Sequence, residues 1–324
     1  MNNRQAKQNS TDTKNSPFFL VGAERSGTTM LRLMLTHHPE IFFHHEFIYS
    51  VEKINELGEF PSIKDYIAYL ETDRIFQAEK LKIVESDDYV EIVNSFLSQL
   101  HEKHAQKPVI GATVHGNFQF LPKIWPGSKF IHLIRDPRDV TFSYVQQGWA
   151  GHVWTAADVW QQTEEAWQSF SSSLAPEDFI NVHYENLVMQ PVEELKRICQ
   201  FMGCEFSNKM LTYGKDTTYS SPDKSLIKQW KNKDQKKVKL IEYKLKDLMI
   251  KYGYSIDGLE CSVSLSYGHY LKAISRINKI LFATQRYGIY LKLLDFISRR
   301  VIKNHQFRIF VKQKIDKVDN LYIK

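Results

Sequence analysis

The feature that most constrains the fold is a short apolar run followed by a glycine-bounded loop and a helical pattern. Phe18 to Val21 predict a buried strand, and residues 22–29 then read GAERSGTT. In the helix that follows, Leu31 and Leu35 lie on one face, and we expect it to end before Pro39. A strand, a loop with the spacing G-x-x-x-x-G and a helix in this order are typical of α/β folds that bind phosphate groups.

The loop lacks the lysine that nucleoside triphosphatases use. Thr28 stands where a Walker A motif has its lysine, and the cation lies inside the loop at Arg25. Backbone N–H groups at the N-terminus of a helix still attract an anion, and Thr28 and Thr29 add hydroxyl donors. An ordinary glycine turn that caps a helix is the alternative interpretation of this segment.

Strand and helix patterns alternate along the rest of the chain, which predicts a parallel sheet covered on both faces. Three further strands are expected at Val109–Val114, Lys129–Ile134 and Phe179–His183. Helical patterns lie at Asp139–Gln147, Asp158–Ser171, Pro191–Met202 and Gln235–Lys251. We therefore predict an α/β fold, a P-loop-like parallel sheet flanked by helices. The expected parts are a disordered N-terminus (1–16), one domain (17–256) with a helical insertion (47–108), and a basic helical C-terminal extension (257–324).

A second candidate anion site follows the strand predicted at Lys129–Ile134. Arg135 stands at the carboxyl end of that strand, where ligands bind in open α/β sheets. Asp136 or Asp139 can cap the next helix. Ser143, farther along that helix, would face the same anion as Arg135. A helix start held by salt bridges is the alternative interpretation.

Together these two segments resemble the sulfotransferase superfamily that uses 3'-phosphoadenosine-5'-phosphosulfate (PAPS), in the bacterial-type branch near the tyrosylprotein sulfotransferases. In that superfamily an R-S-G-T-T loop holds the 5'-phosphosulfate, and a later arginine and serine hold the 3'-phosphate. Residues 183–187, HYENL, resemble the stretch whose tyrosine contacts the nucleotide. The resemblance covers roughly residues 17–256. It implies PAPS as donor, 3',5'-adenosine bisphosphate (PAP) as product, and nucleotide contacts from Arg25, Ser26, Gly27, Thr28, Thr29, Arg135, Ser143 and Tyr184.

The resemblance also implies a mechanism of in-line transfer to a hydroxyl or amine. Relatives in this branch use a glutamate as catalytic base, and Glu46 occupies its place; Arg25 would neutralise charge on the bridging oxygen. Relatives often carry a lysine after the second strand, but no lysine occurs between Val109 and Leu121. Thr113 or His115 stands in its neighbourhood, and which group takes that role is open.

No metal is expected at this site. His44 and His45 suggest zinc, but adjacent side chains on a strand point to opposite faces. The three cysteines are too few and too scattered for a zinc site or a disulfide framework, at Cys199, Cys204 and Cys261.

Two other classes of function stay open. A P-loop kinase or NTPase would bind ATP with magnesium, although the Walker A lysine is missing. A non-catalytic, sulfotransferase-like binding module would bind nucleotide or glycan without turnover. The acceptor is also open between a polysaccharide, a lipid, and a small alcohol or phenol. A nucleic-acid partner is not expected.

Positive charge is concentrated near the C-terminus. The chain has a net charge of +6, yet residues 269–324 alone carry 13 Lys and Arg against three acids, a local net of +10. Leu, Ile, Phe and Tyr recur there at helical spacing. This segment is interpreted as helices packed on the core, as a basic amphipathic helix on an anionic membrane surface, or as a surface for an acidic acceptor or another subunit.

The sequence indicates a cytoplasmic protein, with peripheral membrane contact through the basic extension as an open alternative. Residues 1–16 are polar and lack the apolar stretch of a signal peptide. No stretch reaches the ~18 uninterrupted apolar residues of a membrane span. The aromatic loop of Trp149, His152 and Trp154 is interpreted as packing or as a wall of the acceptor site.

Overall fold

The computed structural model describes residues 16–215, 222–256, 262–302 and 304–319. One parallel sheet of five strands runs in the order β2-β3-β1-β4-β5. The strands are β1 Phe18–Val21, β2 Ile41–Glu46, β3 Val109–Val114, β4 Lys129–Ile134 and β5 Phe179–His183. Helices cover the sheet, which confirms the predicted fold class. The N-terminal segment expected to be disordered lies outside the described residues, except for Ser16.

Twelve helical segments occur in the described part of the chain, and the longest, Leu265–Arg300, is broken by a kink at Gly288. Three of them, α2 to α4, fall within residues 47–108, where the sequence predicts a helical insertion. The bounds are α1 Thr28–Thr36, α2 Ile63–Leu70, α3 Arg74–Glu79, α4 Tyr89–Glu102, α5 Leu121–Ile124, α6 Pro137–Gln146, α7 Val153–Ser171, α8 Tyr184–Met189, α9 Pro191–Met202, α10 Gln235–Lys251, α11 Leu265–Arg300 and α12 His305–Asp319.

The central strand β1 is apolar throughout because it is covered on both faces and paired on both edges. It lies between β3 and β4, with Phe19 opposite Ala112 on one side and Phe130 on the other. Phe19 packs into the core formed with α2 and α4, whereas Leu20 packs with α1 and α9. A continuous apolar run is the pattern expected of a buried parallel strand. The glycine loop thus begins at the carboxyl end of a strand that is held rigidly on both faces and both edges.

The sequence predicted four of the five strands. The fifth, β2, pairs with β3 at the edge of the sheet, from Ile41 opposite Val109 to Glu46 opposite Thr113. The helix expected from Asp158 begins earlier, at Val153, because His152 Nδ1 accepts a hydrogen bond from Trp154 N at 3.2 Å and caps it.

The start of α6 contains a buried ionic network. Asp136 caps the helix by accepting from Arg138 N at 2.9 Å. The Arg138 guanidinium lies 2.7 Å from Asp136 Oδ2 and 2.6 Å from Glu242 Oε1 on α10, and it stacks over Trp230 at 3.7 Å. Arg138, Asp136 and Glu242 are each at most 2% exposed. The salt-bridged helix start expected from the sequence is therefore present, and Arg138 forms it. Arg135 takes no part in these ion pairs, and its role in anion binding stays a prediction.

Asp139, the other predicted cap, has a different role. Its two carboxylate oxygens accept from Lys228 N and Trp230 N, each at 2.9 Å. Burial raises the pKa of Asp139 to about 6, even though Arg135 and these N–H groups oppose the shift. Asp139 fixes the 3-10 turn at Gln229–Asn232 against α6.

The C-terminal helices pack partly on the core and leave a large apolar surface uncovered. A Cβ at Gly148, where φ is +76°, would come within 2.0 Å of the Phe282 ring, so this glycine permits α11 to approach the loop after α6. Ser275 Oγ accepts from Gly151 N at 3.1 Å. The large side chains exposed on α11, α12 and their link are Leu265, Tyr267, Tyr270, Ile277, Ile280, Leu281, Ile289, Tyr290, Leu293, Phe296, Val301, Ile302 and Phe310.

No helix in the described ranges combines the length and apolar character needed to cross a membrane. Contact of the extension with an anionic membrane surface stays a prediction of the sequence.

Replacing Arg138 by Ala should destabilise the fold strongly. The substitution leaves Asp136 and Glu242 buried without their cation, and breaking a buried ion pair costs about 3–5 kcal/mol. Urea unfolding followed by circular dichroism measures this loss. The control is Lys237→Ala, which removes an exposed pair with Asp234 at 3.8 Å and should cost no more than about 1 kcal/mol. Equal losses in the two variants would contradict a structural role for the network.

Candidate active site

The loop between β1 and α1 contains three residues with positive φ, the first of which is Gly22 at +145°. Arg25 has φ +69° and Gly27 has φ +99°. A Cβ at Gly27 would lie 2.4 Å from the Tyr184 ring, so only glycine allows this ring to sit against the turn. The side chain of Tyr184, at the start of α8, therefore forms one wall of the loop.

Polar groups at the start of α1 lack partners within the described part of the chain. No described side chain caps α1, and its first turn has no acidic residue. Ser26 is fully buried, and its Oγ has no hydrogen-bond partner among the described residues. Thr28 is buried and Thr29 half-buried in the first turn. An uncapped helix N-terminus with an unpaired buried hydroxyl is a suitable site for an anion.

Three of the predicted nucleotide residues meet at Arg25. The Arg25 Nε donates to Ser143 Oγ on α6 at 3.0 Å, and the Arg25 carbonyl accepts from Arg135 at 3.1 Å. The Arg135 guanidinium stacks over Tyr184 at 4.3 Å, and no described group accepts from its Nε. The loop and the Arg135–Ser143 element, separate in the sequence, are therefore in direct contact.

A tryptophan and an acid lie beside the loop arginine. The Arg25 guanidinium lies 5.5 Å from the centre of the Trp149 ring, which is 43% exposed. Glu24 accepts a hydrogen bond from the hydroxyl of Tyr144. Burial and the Glu24 charge raise the pKa of Tyr144, so this phenol stays protonated. Trp149 also packs edge-on against the Tyr144 ring at 5.1 Å, and its role as a wall of the acceptor site stays a prediction.

Glu46 is linked to the loop through His115. At the end of β2 its Oε1 lies 3.5 Å from His115 Nε2, and His115 Nδ1 lies 2.9 Å from the Gly22 carbonyl oxygen. Burial alone would raise the pKa of Glu46, but the hydrogen bond and charge of His115 outweigh it and lower that pKa. Conversely, burial opposes a charged His115, whereas Glu46 raises the His115 pKa. The pair favours a carboxylate at Glu46.

The side chains of His44 and His45 were expected to point to opposite faces of the strand, but in the structure they lie side by side. The β2–β3 register shifts between His44 and Glu46, and the rings of His44 and His45 lie 4.4 Å apart. His45 Nε2 lies 3.0 Å from Glu79 Oε1 on α3. The bulge breaks the regular alternation of the strand, which the expectation assumed. The His45–Glu79 pair ties the helical insertion to the sheet beside Glu46.

A segment before α10 borders the second arginine. Arg135 donates to the Leu226 carbonyl oxygen at 3.0 Å, and Lys228 N and Trp230 N bond to Asp139. Residues 216–221, which precede this segment, lie outside the described residues.

Comparison with known proteins identifies the family. A profile described as the sulfotransferase family matches residues 17–208, more than half of the chain. The chain belongs to the sulfotransferase family. The matched range contains β1 to β5 and every predicted site residue.

The relatives share the domain at low identity. The chain is 28% identical over 203 residues to a putative protein-tyrosine sulfotransferase of Caenorhabditis briggsae, covering 60% of this chain and 67% of the relative. It is 24% identical over 227 residues to protein-tyrosine sulfotransferase A of Caenorhabditis elegans, covering 65% and 57%. The match thus spans between about half and two thirds of such relatives.

A solved structure shows the same fold. The sulfotransferase domain from the curacin biosynthetic pathway matches with a TM-score of 0.54 and 20% identity, covering 75% of this chain and 99% of that domain. The family profile therefore establishes the sulfotransferase family, and the solved structure shows the same fold. Neither comparison supports the kinase alternative.

Replacing Glu46 by Gln should lower the pKa of His115. In the native protein Glu46 raises it above the usual 6.5, and burial would dominate once the carboxylate is gone. The titration of His115 C–H signals by NMR measures the change, with the exposed Glu40→Gln as control. An unchanged His115 titration in Glu46→Gln would show that the two side chains are not coupled.

The same pair sets a window of pH-dependent stability. Because the folded-state pKa of His115 is raised, its contribution is present below pH 6.5 and is lost as pH rises through the raised value. Because that of Glu46 is lowered, its contribution is present above pH 4.5 and is lost as pH falls through the lowered value. The difference in unfolding free energy between native protein and Glu46→Gln should be largest between these two pH values.

Proposed function

We propose that the protein transfers a sulfuryl group from PAPS to a hydroxyl or amine of an acceptor. The observation that carries this proposal is the meeting of two anion-binding elements at Arg25. One is the uncapped start of α1 with the unpaired Ser26 hydroxyl, and the other is Arg135 with Ser143. A donor with a 5'-phosphosulfate and a separate 3'-phosphate requires two such elements side by side.

The residues present fit this donor. Ser26, Gly27, Thr28 and Thr29 would hold the 5'-phosphosulfate through backbone N–H groups and hydroxyls at the start of α1. Arg135 and Ser143 would hold the 3'-phosphate, and the Tyr184 ring would contact the nucleotide. The unpaired Arg135 Nε and Ser26 Oγ supply donors that a bound phosphate group would satisfy.

In the proposed mechanism Glu46 is the base and Arg25 the cation. Bound PAPS supplies the sulfuryl group: a bond forms between the acceptor oxygen or nitrogen and sulfur while the bond from sulfur to the 5'-phosphate oxygen breaks. Glu46 takes the acceptor proton, and His115 holds it as a carboxylate oriented toward the loop. Arg25 neutralises charge on the departing phosphate oxygen.

The contacts of His115 and Thr113 indicate whether either residue can replace the lysine that relatives often carry after the second strand. Both ring nitrogens of His115 already have partners, Glu46 and the Gly22 carbonyl oxygen. Thr113 is buried, with its hydroxyl 3.5 Å from the His44 carbonyl oxygen. We therefore propose that His115 positions Glu46 and that Arg25 takes over the stabilisation of the leaving group.

PAP should bind without magnesium, and Arg135→Ala should weaken this binding. Loss of a charge-assisted contact to phosphate is expected to reduce affinity about tenfold or more. Calorimetric titration with PAP, with and without magnesium and beside ATP, measures it. Arg197→Ala, on the exposed side of α9, is the matched control and should leave affinity unchanged. Binding of ATP that requires magnesium, with no PAP binding, would favour the kinase alternative instead.

Glu46→Gln should reduce transfer while PAP affinity stays the same. Removing a positioned general base typically costs about 10²- to 10⁴-fold in rate. Transfer of labelled sulfate from PAPS to a panel of alcohols, phenols, amines and oligosaccharides measures the rate, with Glu40→Gln as control. PAP binding without transfer to any acceptor by the native protein would favour the non-catalytic binding module.

A further inference from the structure

A cavity of about 850 Å³ lies between the loop that follows α6 and the inner side of α11. Gln147, Gly148 and Trp149 form one wall, and α11 forms the facing wall. The volume is in the range of small-molecule sites. Most of the lining comes from α11 and α12, outside residues 17–208 that match the family.

The cavity opens beside the proposed transfer site. Trp149 and Glu24 both line it. The guanidinium of Arg25 lies 5.5 Å from the Trp149 ring centre, and Arg25 Nε bonds to Ser143. A molecule in the cavity could thus reach the loop from the side of Trp149.

Positive charge dominates the lining. Five cationic side chains face two carboxylates, those of Glu24 and Asp319. Both carboxylates already have partners: Tyr144 donates to Glu24, and Asp319 accepts from Tyr287 at 2.7 Å and lies 4.0 Å from Arg286. Within the described residues, no carboxylate forms an ion pair with the three others on α11. The five cations are Arg74, Arg276, Lys279, Arg286 and Lys292.

The lining is also strongly apolar. Trp149, Ile280 and Phe282 contribute large apolar surfaces, and Ile280 is 62% exposed at the cavity edge. The Arg286 guanidinium lies over Phe282 at 5.1 Å, so cationic and apolar groups alternate rather than separate. A purely polar acceptor would leave these apolar side chains in contact with water. A neutral acceptor would leave Arg276, Lys279 and Lys292 without a counter-charge among the described residues.

We infer that this cavity binds the acceptor, and that the acceptor is an anionic amphiphile: a molecule with a hydroxyl, an acidic group and an apolar chain or ring. The inference rests on the proposed function. The acidic group contacts Arg276, Lys279 and Lys292, the apolar part packs on Trp149 and Phe282, and the hydroxyl points to Arg25 and Glu46.

The test compares two probes that share a chain and a primary alcohol. Protein saturated with PAP is titrated calorimetrically with 10-hydroxydecanoate and with 1,10-decanediol. The carboxylate probe should bind about tenfold more tightly, since charge-assisted contacts add to the same apolar burial. Equal affinities, or no binding of the carboxylate probe, would overturn the inference.

A pair of matched variants locates the effect. Lys279→Glu changes a cavity residue, whereas Lys272→Glu makes the same charge change on the same helix at an exposed position outside the lining. Lys279→Glu should weaken binding of 10-hydroxydecanoate about tenfold and leave 1,10-decanediol unaffected. Lys272→Glu should alter neither, because salt screens distant exposed charges. Equal losses in both variants would show a general charge effect and contradict the cavity site.

PAP affinity distinguishes a failure of the proposed function from a failure of the proposed acceptor class. Failure of PAP to bind would remove the proposed function itself. Normal PAP binding together with no preference for the carboxylate probe would leave the sulfotransferase proposal intact and remove only this acceptor class.

Discussion

The site depends on one constraint: the N-terminus of α1 presents donors that the described chain does not satisfy, and the loop before it must hold its shape. Partners from three other strands provide that support. His115, after β3, bonds to the Gly22 carbonyl oxygen; Arg135, after β4, bonds to that of Arg25; and Tyr184, after β5, packs on Gly27. Parallel strands end at the same sheet edge, so each support is available only because of the topology.

Much of the framework could be predicted because local patterns determined it. The strand, loop and helix from Phe18 onward, and the helices Pro191–Met202 and Gln235–Lys251, have bounds that agree with the structure. The β2 strand was not predicted, because an edge strand of mixed apolar and histidine residues has no regular alternation. Its bulge at His45 could not be inferred from local sequence either. The bulge also brought two histidines together that the regular period would separate.

The R-D-P-R-D segment shows why two interpretations of a motif need not compete. Sequence alone offered an anion site or a salt-bridged helix start. Arg138 points into the core, where Glu242 and Trp230 from distant parts of the chain satisfy it. Arg135 stays at the sheet edge beside Tyr184. Long-range partners determine the position of each arginine, and these partners cannot be predicted from the spacing of the motif. The same holds for His115, whose role depends on Glu46 lying on the neighbouring strand.

The candidate donor site and the cavity beside it are formed by different parts of the chain. Residues that match the family form the sheet and carry both candidate anion-binding elements, the start of α1 and Arg135 with Ser143. The cavity beside them is lined largely by α11 and α12, beyond that match. Gly148 permits the close approach of Phe282 that forms this wall. A substitution on α11 can therefore alter the lining of this cavity without changing the loop at Arg25.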